Sequence, residues 1–184
     1  MSRFERNDVT YSLVLSKDEA EILKNLTEQL LELLGEGDFF HHSDIQDPLA
    51  QLLEMPTEIV PPEDPVLKRL LPNAYADPEA ASDFRRYTEP QLRGAIQKTL
   101  QVMREELLKI GEPRQEEGVI SPIDFDLWLL GLNHLRLAFA VRLEVDLESF
   151  EKFELLPDED PLKPMYAVYY WLGWLQEQLL QLQL

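Results

Sequence analysis

Cysteine is absent from all 184 residues of this chain. Disulfides, thiolate nucleophiles, cysteine-held zinc and thiol redox switching are thereby excluded. Glycine is scarce, with only seven residues, and no GxGxxG or Walker-type loop that could cradle a phosphate occurs. HExxH and GxSxG are missing too. No run of 18 apolar residues is present, and the opening MSRFERNDVTYS lacks the apolar core of a signal peptide. A cytoplasmic protein without a membrane span is expected. Basic residues are in short supply: 17 Lys and Arg face 35 Asp and Glu, for a formal charge of −18. That field repels nucleic acid and anionic membrane, so direct DNA binding is disfavoured. Only residues 68–114, with nine basic and seven acidic side chains, escape the acidic bias.

What is there reads as a folded protein. Hydrophobic residues make up 45% of the chain and charged ones 28%, a globular balance, and the length suits one core. The patterning predicts a single, mainly α-helical domain over 1–184, a bundle around a central apolar helix with a small N-terminal β-hairpin. Val9, Tyr11, Leu13 and Leu15 alternate with polar or smaller residues after Asn7-Asp8, which predicts the hairpin over 1–15. Ser16 and Glu19 form a capping box, and Gly35 supplies a stop, so a helix is expected over 16–35. Its buried face is Ile22, Leu23, Leu26, Leu30, Leu33 and Leu34.

Residues 36–87 read as short helices and loops. Asp-Pro recurs at 47–48, 64–65, 77–78 and 160–161; the Asp caps, and the Pro occupies the first turn, where its missing N–H is harmless. Short helices are expected near 48–54, 65–71 and 78–87. Thr88-Glu-Pro-Gln91 reads as a second capping box, opening a long helix over 88–110.

The central helix is expected over 121–145, with Ser121 as N-cap and Pro122 in the first turn. From Phe125 to Leu143 it is apolar on nearly every side, so it belongs enclosed by its neighbours. The last helix, 162–184, carries a seam of Met165, Val168, Leu172, Leu175, Leu179 and Leu182. A core helix is the simpler reading; its aromatic excess also suits a homodimer interface.

Few residues offer chemistry. His41 and His42, near Asp38, Asp44 and Asp47, have metal-ligand character but lack i, i+4 spacing, so a solvated loop is the better reading and no metal is expected. His134 stands without a nucleophile spaced to it and reads as a core histidine. No cofactor and no catalysis are expected. Six polar residues form the candidate interaction or structural network: Arg85, Arg86, Arg93, Asn133, Arg136 and Arg142. The first three surround Tyr87-Thr88, a helix–turn–helix-like joint in this reading. If buried, these side chains need carboxylates or helix-end carbonyls. If they line an open cleft, they make a site for an anion or an acidic peptide.

The stretches LLPNAYADPEAASDFRRYTEPQLRGAIQKTLQVMREEL and SPIDFDLWLLGLNHLRLAFAVRL resemble an actinobacterial domain-of-unknown-function family that includes AosR-type oxidative-stress transcriptional regulators. Phe84-Arg85-Arg86, Thr88, Leu92-Arg93, Trp128, Leu132-Asn133, Leu135-Arg136-Leu137 and Arg142 carry the likeness, which extends over essentially the whole chain. It implies a cytosolic regulator of transcription that contacts a sigma factor or RNA polymerase and does not itself read DNA. Some members sense redox through a cysteine pair, a mechanism closed to this cysteine-free chain. The family's link to the ClpS neighbourhood implies, as the alternative, an adaptor or structural protein of Clp proteolysis.

Overall fold

Arg3–Asn7 (β1) and Thr10–Ser16 (β2) pair antiparallel, with Phe4 opposite Leu13. The structure, a computed structural model, describes residues 2–7, 10–35, 61–110 and 117–183. The hairpin is therefore present, while its turn, the histidine pair and the helix expected at 48–54 lie outside the described residues.

Ser16 ends β2 and starts Lys17–Leu34 (α1). Its hydroxyl accepts the Glu19 N–H at 3.3 Å, and the Glu19 carboxylate accepts the Ser16 N–H at 2.8 Å. Gly35 closes the helix at φ +75°, a backbone setting that glycine adopts without strain. The Asp-Pro device works as its chemistry predicts at two of the three described sites. Asp64 caps Pro65–Leu70 (α2), and Asp77 caps Pro78–Leu108 (α3). At Asp160-Pro161 the helix that follows is capped by Pro161 without a side-chain bond, and Asp160 only accepts the Leu162 N–H at 2.9 Å. The pair at 47–48 lies outside the described residues.

Helix α3 corrects one expectation. Residues 78–87 and 88–110 do not form two helices joined at Tyr87-Thr88; a single 31-residue helix runs through Pro90. Thr88 does not cap. Its hydroxyl donates back to the Phe84 carbonyl, 2.8 Å away, as a mid-helix threonine does. The helix–turn–helix-like joint is thus absent.

A second correction concerns Glu117–Ile123 (β3), expected as loop and helix start. It pairs antiparallel with β2, making a three-stranded sheet in the order β1-β2-β3. Leu13 faces Ile120 while Tyr11 faces Ile123, so β3 carries one extra residue there. The bulge explains how Ile120 and Ile123, three apart, are both buried. The next helix, Phe125–Arg142 (α4), starts later than expected and is capped by Asp124, which accepts the Leu127 N–H at 3.1 Å. Ser121 is not the cap.

Ser149–Leu155 (α5) and Leu162–Gln181 (α6) complete the chain. Helix α4 packs against α1, α2, α3 and α6, while the sheet leans on α1 and α6. Leu13, Leu15, Leu23, Leu100, Met103, Trp128, Leu132, Leu172, Leu175 and Leu179 are fully buried between these layers. The enclosure of α4 is incomplete, however: Leu130 is half exposed and Asn133 is exposed too. Among the described residues no helix is long and apolar enough to cross a membrane.

Candidate functional site

The six polar candidates do not gather in one place. Arg85 and Arg93 stand four residues either side of Glu89 on α3, so all three share a helix face. Glu89 accepts from both: Arg93 at 2.7 Å through one oxygen, and Arg85 through the other. Arg85 is almost fully buried and also donates to the Leu71 carbonyl and to the Asn73 side chain. Arg93 reaches the carbonyl of Leu34, at the end of α1, at 2.9 Å. Beside it Gln97 donates to the Gly35 carbonyl. These groups satisfy the orphan carbonyls at the end of α1 and pin the chain after α2, which is structural work.

Glu89 is the hub that the sequence reading passed over. The signal was present: an acid flanked at −4 and +4 by arginines is a paired face.

Arg86 belongs to a different surface. It donates to the Tyr87 hydroxyl at 2.9 Å and lies over that ring, while its Nε is buried with no hydrogen-bond partner. Tyr87, Phe84, Tyr75 and Leu92 are all substantially exposed nearby on α3 and the segment before it. Arg142 ends α4 and meets Asp64 at 2.7 Å, tying α4 to the cap of α2. Burial would raise the Asp64 pKa, but the Arg142 hydrogen bond and the capped N–H groups outweigh it and hold the carboxyl below its ordinary value.

Asn133 and Arg136 come together on α4, at a groove shared with Gly173, Gln176, Glu177, Leu180 and Gln181 of α6. The Arg136 guanidinium lies flat along α6. It sits 5.1 Å from the centre of the Tyr169 ring and close over Gly173, where a β-carbon would stand 3.1 Å from Cζ. Its Nη1 donates to Gln176 Oε1 at 3.2 Å, and its Nε is buried without a partner. Among the described residues no carboxylate pairs with Arg136. The α6 groups around the guanidinium are uncharged, and Glu177, the carboxylate of the same groove, accepts instead from Gln181 at 3.4 Å.

His134 is largely buried with an unpartnered Nδ1, and burial pushes its pKa down. Among the described residues no cluster of His, Asp and Glu could hold a metal ion.

Residues 1–183 match the family described as "Domain of unknown function (DUF2017)". The chain is 31% identical over 180 residues to the protein named oxidative stress regulator AosR in Mycobacterium tuberculosis. The same identity holds for the equally named protein of Mycobacterium bovis. Each alignment covers 90% of this chain and 78% of the relative. No solved structure matches the chain.

Proposed function

We propose that this chain, which belongs to the DUF2017 family, is a non-enzymatic regulator that acts by contacting other proteins at transcription, with a sigma factor or RNA polymerase as the partner. The observation that carries the reading is the likeness, over nine-tenths of the chain, to relatives named oxidative stress regulators. The charge distribution agrees with it. Arg85, Arg93 and Arg142 are tied to the chain's own Glu89 and Asp64, which leaves a strongly acidic exterior for meeting a partner. Thiol sensing is closed to this protein, so any stress signal reaches it by another route.

The test is a binding measurement with purified components. Immobilised full-length chain is offered RNA polymerase core, sigma factors, ClpS and a Clp ATPase separately. Saturable binding of polymerase or a sigma factor is the expected result. Binding of ClpS or the ATPase alone would replace the reading with an adaptor role in proteolysis, and binding of none would sink it.

A further inference from the structure

Arg136 is the one candidate arginine of α4 held entirely by uncharged groups. Three residues at successive turns of α6, Tyr169, Gly173 and Gln176, set its plane: a ring beside it, a bare backbone beneath it, and an amide on Nη1. A guanidinium carries five N–H donors, and here only one is used by the described residues. Nε is sealed off without an acceptor, so charge balance falls to whatever meets the Nη edge in the groove. That edge is fixed in position before any ligand arrives, which lowers the ordering cost of binding.

We propose that the α4–α6 groove is a carboxylate-binding site, with Arg136 as its anchor and an acidic side chain of a partner polypeptide as its occupant. The groove's other walls choose among anions. Asn133 and Gln176 offer neutral amides suited to a peptide backbone, Leu180 offers an apolar wall, and Glu177 places a carboxylate at the same opening. A multivalent anion such as phosphate meets Glu177 and a chain of charge −18, whereas a single carboxylate can pair with the guanidinium in a planar two-point fashion. The shape argues for a polypeptide. From Gly173 to Gln181 the groove follows little more than two turns of α6, about 12 Å, and it opens to solvent. Small ligands seek sites that bury most of their surface; an extended segment can lie along an open trough.

The proposal rests on the protein-contact reading only for its occupant being a polypeptide. The experiment is a selection from a random peptide library displayed as C-terminally fused segments, so that only side-chain carboxylates are available, on the full chain. Selected peptides are expected to share one Asp or Glu beside an apolar residue. Resynthesis with Gln for that Glu, which leaves the protein untouched, should weaken binding roughly tenfold. Arg136→Gln should do the same and Arg136→Lys should restore only part, whereas Arg142→Gln should leave binding unchanged. Selected peptides without a shared acid, binding indifferent to the Arg136 variants, or no selection at all would overturn the site. Succinate or inorganic phosphate binding as tightly as the peptides would overturn it too. Polymerase binding that survives Arg136→Gln removes this site and leaves the transcriptional reading standing; acidic peptides that depend on Arg136, without polymerase binding, do the reverse.

Discussion

Trp128 donates its indole N–H to a Glu106 carboxylate oxygen 2.5 Å away, and no part of the tryptophan reaches solvent. The bond joins α4 to α3 beside a tight contact between them: a β-carbon on Gly131 would fall 1.8 Å from the Met103 sulfur. Replacing Glu106 with Leu strands a buried donor, at a cost of about 1–3 kcal/mol. Glu106→Gln keeps an acceptor and should lose less. Urea unfolding followed by tryptophan emission checks both, with a lower midpoint and an unchanged slope expected. An unshifted midpoint in Glu106→Leu would mean the bond contributes nothing.

The Arg85–Glu89–Arg93 cluster predicts an asymmetry. Arg85 is 6% exposed and its partner Glu89 only 12%. Glu89→Leu leaves one guanidinium buried without its charge partner, at a cost of about 3 kcal/mol. Arg85→Met combined with Glu89→Leu should be less harmful than Glu89→Leu alone, since an apolar pair of similar volume needs no compensation. Thermal and urea denaturation of the double variant and of each single variant decides it. If the two losses simply add, the cluster is not a coupled network.

Pro90 removes one helical hydrogen bond inside α3, and its ring faces solvent. Pro90→Ala restores the N–H, which then has the Arg86 carbonyl four residues back as its acceptor. The variant should gain about 1–3 kcal/mol. A loss instead would show that a bend at Pro90 is needed to seat Arg85 and Arg93.

That same proline misled the reading of the sequence. Thr88-Glu-Pro-Gln91 has every local mark of a helix start, yet α3 runs through it unbroken, with Arg85 and Arg93 bonded to Glu89 from either side. Elements whose signals all agree were legible: Ser16, Glu19 and Gly35 bound α1 as their chemistry dictates, and Asp64 and Asp77 cap as expected. Strand β3 was not legible, because its bulge breaks the two-residue period at Ile120 and Ile123 and its Ser121-Pro122 imitates a cap. In α6, Met165 was expected in the buried seam but is 38% exposed, and Tyr166 and Tyr169 take its place in the first turns. The groove was half legible. Asn133 and Arg136 stood out, but Gly173 and Gln176, 37 and 40 positions further along from Arg136, become partners only through the α4–α6 packing.

Glu19 makes the protein sensitive to acid. Burial would raise its pKa, but hydrogen bonds from the backbone and side chains of Ser16 and Ser2 outweigh this, and the carboxyl is held below its ordinary value. A depressed carboxyl contributes stability at neutral pH that disappears as pH falls through the carboxylate range. Glu19→Gln should therefore be less stable than the parent near pH 7, by about 1 kcal/mol as for a lost cap, and the gap should narrow toward about pH 3. A gap that stays constant with pH would assign the effect to packing.

His134 acts at a higher pH. Its folded pKa lies below the ordinary value because the ring is buried, with Nδ1 unpartnered. As pH falls past about 6.5 the unfolded chain takes up a proton on this ring, while the folded chain does not until its own lower pKa is reached. Over that interval the unfolded state binds more protons, so stability falls with falling pH, by at most about 1.4 kcal/mol per pH unit from this one group. His134→Gln removes the titration. Its stability should change less between about pH 7 and pH 5 than the parent's, a difference read from urea midpoints at each pH. Parent and variant share the same carboxylates, so the difference between their slopes belongs to the histidine. Identical slopes would mean that the ring gains a proton as easily folded as unfolded, and therefore that the interior around α4 admits water to Nδ1.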